Sequence, residues 1–91
     1  MVYIIAQLKL ESFDKWKSVF EERSAIRKES GSKEARLFRN SNDPAEAMIL
    51  FEWDNIENAK KYLESEALRE ALKKVGATYT TTYLDEVETT V

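Results

Sequence analysis

Chemistry in this chain has to proceed without histidine or cysteine, because neither occurs among its 91 residues. The missing cysteine excludes disulfides, thiol nucleophiles and thiolate metal sites. The missing histidine removes the usual general base near neutral pH and the commonest transition-metal ligand. No metal site is visible in the spacing of the remaining acids, and no cofactor is expected. Proton transfer would fall to a buried carboxylate or a tyrosine, and Glu52 is the best-placed acid, provided that burial raises its pKa. Arg36 sits mid-strand between apolar neighbours; it is either a cross-strand ion-pair partner of Glu52 or a carboxylate-binding group in a cavity. Trp16, Phe20, Trp53 and Tyr62 are the aromatic residues that would wall such a cavity, or else fill an ordinary core. Tyr79 and Tyr83 share one face of the last strand and could each offer a phenol to a ligand. Asn40 reads more readily as a turn former than as an oxyanion donor.

These candidates are positioned by a central hairpin. A strand of mixed apolar and basic residues runs from about Glu34 to Asn40, with Arg36 and Arg39 marking it as an edge. A polar turn at Asn42-Asp43-Pro44 leads into the most hydrophobic run of the chain, Ala47 to Trp53. Both faces of that run are apolar: Ala47, Ile49, Phe51 and Trp53 on one, Met48 and Leu50 on the other, with Glu52 its one charge. A strand apolar on both faces belongs in the interior of a sheet.

The flanking segments have the periods of an α+β protein. Val2 to Leu10 alternates Ile4, Ala6, Leu8 and Leu10 against Tyr3, Ile5, Gln7 and Lys9, so one face packs on helices. Ser12 as N-cap and Gly31 as C′ residue bracket a single helix of about five turns. Its stripe is Phe13, Trp16, Val19, Phe20 and Ile26. Arg23 and Arg27 prolong the margin of that stripe, either with their heads in water or as anion-facing groups at a pocket mouth. Asp54 or Asn55 caps a second helical region, and Ser65 re-caps it after a break at Glu64–Ser65, with Gly76 at its end. Tyr79 to Thr90, rich in β-branched and aromatic residues, reads as a long edge strand.

Size and charge limit the role. Ninety-one residues make one domain, 1–91, with a thin core. Fourteen Lys and Arg are interleaved with seventeen acids for a net charge of −3, which argues against nucleic-acid or membrane-surface binding. Spacings such as Glu57–Lys61 and Glu70–Lys74 describe solvated helix faces. No apolar run is long enough to span a bilayer and no signal peptide precedes the first strand, so a cytoplasmic location is expected.

The order strand, helix, strand, strand, helix, strand is the βαββαβ arrangement of a ferredoxin-like antiparallel sheet with its helices on one face. Right-handed crossovers put the first and third strands side by side in its centre. The other face carries Ile5 and either Met48 and Leu50 or Ile49 and Phe51, which is too apolar for water. A second copy of the chain covering that face, a homodimer, is the simplest remedy.

The chain resembles the dimeric α/β-barrel superfamily, and within it the small antibiotic-biosynthesis-monooxygenase-like or cyclase-like proteins. The likeness rests on Phe13-Asp-Lys-Trp16 with Phe20 one turn on, and on Leu37-Phe-Arg-Asn40…Asn42-Asp-Pro44…Leu50-Phe-Glu-Trp-Asp54. Tyr62-Leu-Glu-Ser-Glu-Ala-Leu-Arg69 extends it over nearly the whole chain. The resemblance implies a ligand cavity between sheet and helices and a small aromatic or apolar ligand. It further implies a cofactor-independent monooxygenase or cyclase-like activity, or else a binding or structural relative whose cavity is filled. Several members of the superfamily use a cavity histidine, which this chain lacks.

Overall fold

The computed structural model describes residues 2–90. Its elements, in order, are β1 (Val2–Leu10), α1 (Phe13–Glu22), α2 (Ser24–Glu29), β2 (Ser32–Arg39), β3 (Glu46–Trp53), α3 (Ile56–Leu63), α4 (Glu66–Lys73) and β4 (Ala77–Asp85). The four strands form one antiparallel sheet in the order β2-β3-β1-β4. This is the ferredoxin-like α+β arrangement that the element order implies, with β1 and β3 inside and β2 and β4 at the edges. The 40 × 31 × 17 Å extents fit one sheet with one helix layer, since layers stack about 10 Å apart.

Alternation along the strands decides which side is covered. Ile4, Ala6, Leu8 and Leu10 of β1 and Ala47, Ile49, Phe51 and Trp53 of β3 are all buried beneath the helices. Antiparallel register sets Ile4 against Phe51 and Ala6 against Ile49, so the buried side chains lie in cross-strand rows. Two residues in the hairpin turn reinforce this register. The Asn40 side-chain oxygen accepts from the Asn42 N–H at 2.9 Å, and Asp43 Oδ1 accepts from the Ala45 N–H at 2.9 Å.

The helix termini follow their capping residues. Ser12, Asn55 and Ser65 accept backbone N–H groups from Lys15, Asn58 and Leu68 at 3.3, 2.8 and 3.3 Å. The Ser65 cap makes the expected break between α3 and α4. Gly76, at φ +66°, ends α4 in the left-handed conformation that a side chain would strain, and a Cβ there would also run into Glu11.

Four expectations are corrected. The helix between Ser12 and Gly31 is two helices, because Arg23 adopts φ −91° and ψ 6° and offers no side-chain cap. Beyond that turn Ile26, assigned to the stripe, is 45% exposed, and Arg27 is the buried residue of α2. The last strand stops at Asp85 rather than Thr90. Its partner β1 pairs with it as far as Val2, which is opposite Asp85. The first hairpin strand starts earlier than Glu34, at Ser32, with an irregularity between Ser32 and Glu34.

Candidate functional site

Four of the aromatic candidates meet between the sheet and the helices. Trp16 and Phe20 are one turn apart on α1, with ring centroids 5.4 Å apart. Trp53 comes from the end of β3 and Tyr62 from α3, their rings 5.7 Å apart. Such separations are those of offset and tilted aromatic pairs. Trp53 is fully buried, and its indole N–H donates to the Ser30 carbonyl at 3.0 Å, so this polar atom is spent on the fold. Trp16 is 1% exposed and lines the void described below.

The polar groups of this region are two arginines and a phenol. Arg27 is 6% exposed and lies over the Phe20 ring, with its guanidinium carbon 3.8 Å from the ring centroid. One of its nitrogens donates to the Phe20 carbonyl at 2.6 Å. Arg23 Nε donates to the Tyr62 hydroxyl oxygen at 3.1 Å. Burial pulls the Arg27 pKa below its ordinary value, partly offset by the Tyr62 phenol, while the Arg23 charge adds to the lowering. A guanidinium starts so high that it stays charged all the same. No carboxylate reaches either arginine: among the described residues the ion pair within 4.0 Å is Lys17–Glu21. The spacings Glu57–Lys61 and Glu70–Lys74 form no such pair, as is usual for long, solvated side chains.

Two spaces meet at these residues. An inner void of about 30 Å³, room for about one water, is bounded by Ala6, Leu8, Trp16, Val19, Ile49, Phe51, Tyr62, Leu63, Leu68, Leu72 and Tyr79, and by Phe20, Arg23 and Arg27. An outer pocket of about 430 Å³ opens on the α1–α2–β2 side, lined by Glu21, Ser24, Lys28, Ser32, Lys33, Glu34 and Ala35. Phe20 and Arg27 line both, so their stack is the wall between them.

The remaining candidates lie elsewhere. Arg36 and Glu52 have the opposite strand parity from the buried rows and stand on the helix-free face of the sheet, where neither borders the inner void. The cavity roles weighed for them are therefore corrected by the two-residue period of the strand. Nor do they form the cross-strand pair: Arg36 faces Leu50 and sits 5.5 Å from the Phe38 ring, while Glu52 faces Glu34 on one side and Tyr3 on the other. Tyr83 is on the helix side but at the edge of the sheet, its hydroxyl donating to Glu64 Oε2 at 2.7 Å. Burial, and then the Glu64 hydrogen bond and charge, hold its pKa above the ordinary phenol value. Tyr79 borders the void and donates its hydroxyl to the Leu63 carbonyl. Asn40 is a turn former whose amide also donates to Glu46 at 3.0 Å.

Sequence reasoning placed Arg23 and Arg27 at the margin of the stripe, with an anion-facing role at a pocket mouth as the alternative. The signal was their spacing, since residues 16, 20, 23 and 27 continue one helical stripe. The helix-free face carries Phe38 and Met48, 46% and 38% exposed, beside Ile5 and Leu50. A groove of about 470 Å³ runs along it past Gln7, Lys9, Phe38, Met48 and Thr80. Among the described residues no three His, Cys, Asp or Glu side chains cluster as metal ligands, and no helix is long and apolar enough to cross a membrane.

Comparison with known proteins agrees with this geometry. Residues 1–74 match the family model described as antibiotic biosynthesis monooxygenase. No curated protein matches the chain. A solved structure from Deinococcus radiodurans, described as a candidate antibiotic biosynthesis monooxygenase, superposes with a TM-score of 0.71 at 20% identity, covering 100% of this chain and 97% of that one. SnoaB, a cofactor-independent oxygenase from Streptomyces nogalater, gives 0.76 at 13% identity, covering 97% and 94%. A dimeric ferredoxin-like protein from an uncultured marine organism gives 0.65 at 13% identity, covering 100% and 99%. At these identities the likeness speaks to fold alone, whereas the family model runs from β1 through the end of α4. The chain belongs to the antibiotic biosynthesis monooxygenase family.

Proposed function

We propose that the protein is a homodimer that binds a flat aromatic molecule on the helix side of the sheet and oxidises it with dioxygen, without a bound cofactor. The observation that carries this reading is the wall around the inner void. It is aromatic and aliphatic except for Arg23, Arg27 and Tyr62, which suits an apolar body with one polar end. Family membership supports the reaction class, and SnoaB, with the same fold, is described as a cofactor-independent oxygenase. The chemistry balances without an outside reductant if the substrate supplies the electrons. Converting a doubly benzylic CH₂ to C=O consumes one O₂ and releases one H₂O.

The homodimer is supported by the helix-free face. Phe38 and Met48 project from it, and two extents of 40 × 31 Å supply more than the roughly 800 Å² per partner of a standard interface. Light scattering at micromolar concentration is expected to give twice the chain mass; a monomer there removes the dimer from the proposal.

A second reading, a non-catalytic homodimer with a filled core, is favoured by the void itself, which at about 30 Å³ is too small to admit a substrate. Two measurements separate the readings. Titration with 1-naphthol is expected to quench or shift tryptophan fluorescence, because Trp16 borders the void. Oxygen uptake with anthrone, whose CH₂ is doubly benzylic, is expected to exceed the uncatalysed rate. If neither changes, the filled-core reading stands.

A further inference from the structure

The helix-side site has a charge imbalance. Arg27 is 6% exposed, yet its compensation consists of one carbonyl at 2.6 Å, the face of Phe20 and the neutral phenol of Tyr62, with no carboxylate. Arg23 hydrogen-bonds a neutral phenol. None of the residues around the inner void is an Asp or Glu, so no carboxylate of its wall offsets the two arginines that border it. A buried charge is costly unless it is paired and hydrogen-bonded, and a guanidinium presents five donors in a plane that fits a carboxylate or an enolate. Both arginines retain N–H groups beyond those used in these bonds.

We infer that Arg27 and Arg23 form an anion subsite, and that the ligand is an aromatic monoanion, a carboxylate or an ionised phenol or enol, rather than a neutral aromatic. This rests on the cavity reading above and adds the charge of the molecule that fills it. It also accounts for how a void of about 30 Å³ could admit a ligand. Phe20 and Arg27 separate the inner void from the outer pocket of about 430 Å³. Swinging that stack aside joins the two spaces, within the ~300–1,000 Å³ range of ligand pockets. The incoming anion replaces the Phe20 carbonyl as the acceptor for Arg27, so the contact that closes the wall is exchanged for one that holds the ligand. A substrate that arrives ionised needs no protein base, and the inner part of the wall carries arginines and no carboxylate, Glu21 and Glu34 lying in the outer pocket.

The test compares 1-naphthoate with its neutral isostere 1-naphthamide, following tryptophan fluorescence in the full-length protein. Naphthoate is expected to bind at least tenfold more tightly. Arg27→Met is expected to weaken naphthoate tenfold or more and to change naphthamide less than threefold. Arg23→Met, at a partly exposed position that keeps the Arg27 stack, should lose naphthoate selectivity in the same direction, so the inference stays testable if Arg27→Met does not fold. Lys17→Gln, which removes an exposed charge from α1, is expected to leave both probes unchanged. Equal binding of the two probes, with neither arginine variant discriminating, overturns the anion subsite while leaving an aromatic cavity in place. Loss of naphthoate on Arg36→Met instead of Arg27→Met moves the anion to the other face of the sheet and also overturns it. Failure of both probes to bind removes the cavity reading itself.

Discussion

The two faces of this sheet are made from the same strands and differ in almost every physical respect. On the helix side, Ile4, Trp16 and Trp53 are at most 1% exposed, and no buried side-chain polar atom among the described residues lacks a hydrogen-bond partner. On the other side, Phe38 and Met48 stand in solvent beside Arg36 and Glu52, with no helix over them. One face is a finished core with a small void, and the other is an apolar surface awaiting a cover. The contrast teaches that alternation can build two apolar faces while the connections supply helices for one of them.

The largest expected effect comes from breaking the finished face. Trp16→Ala removes a fully buried indole that packs 5.8 Å from Phe13 and 5.4 Å from Phe20. It should cost about 3–5 kcal/mol in urea denaturation, a large share of the stability of a chain this size. A loss below ~1 kcal/mol would mean that the core is not packed around Trp16. Next in size is the uncovered face. Met48→Glu puts a charge in the middle of the proposed dimer contact and should raise the dimer dissociation constant a hundredfold or more, about 2.7 kcal/mol. Secondary structure by circular dichroism should be unchanged, since Met48 is 38% exposed in the single chain. A dimer that survives this substitution would have to use some other surface.

That contrast was partly legible beforehand. The alternation of β1, the caps at Ser12, Asn55 and Ser65 and the break before α4 follow from local chemistry, and the edge position of Arg36 and Arg39 from composition. Which set of β3 side chains faces the helices was not legible, because Ile49 and Phe51 are as apolar as Met48 and Leu50. The burial of Ala47, Ile49, Phe51 and Trp53 beneath the helices shows the parity, which puts Arg36 and Glu52 on the other face. The turn at Arg23 was hidden for a different reason: it has no capping side chain, no Gly and no Pro to announce it. Residue type, apolar for Ile26 and charged for Arg27, put the first inside and the second at the margin, so the charged part of the candidate site was the part least visible.

A smaller effect sharpens that charged part. Tyr62→Phe keeps the ring against Trp53 and removes the acceptor for Arg23 Nε, which is 3.1 Å away. Loss of one partly buried hydrogen bond of this kind should cost about 1 kcal/mol. Binding of 1-naphthamide should change little, because the apolar wall is intact. A stability change near zero would show that Arg23 finds water instead, and that the phenol is not needed to hold it.

The smallest effect uses two tyrosines, one on each face, as reporters. Tyr3 stands on the helix-free side opposite Glu52, and the charge of Glu52 is the main cause of its raised pKa, with Glu86 next. Tyr83 stands on the helix side, and burial is the main cause of its raised value. In both, ionisation is harder in the folded chain than in the unfolded one. Their contribution to stability is therefore fully present below the ordinary phenol pKa of about 10 and is lost as pH rises through the higher folded value. Salt should separate them. At 1 M the screening length is about 3 Å, which suppresses a charge effect acting through solvent but not a burial effect. Phenolate absorbance, titrated in Tyr3→Phe and Tyr83→Phe variants, should therefore show the Tyr3 value relaxing toward normal in 1 M salt while most of the Tyr83 shift persists. If a partner subunit covers the helix-free face, Tyr3 becomes a burial case as well. A salt-insensitive Tyr3 in the wild-type protein that turns salt-sensitive in Met48→Glu would locate the dimer contact on that face.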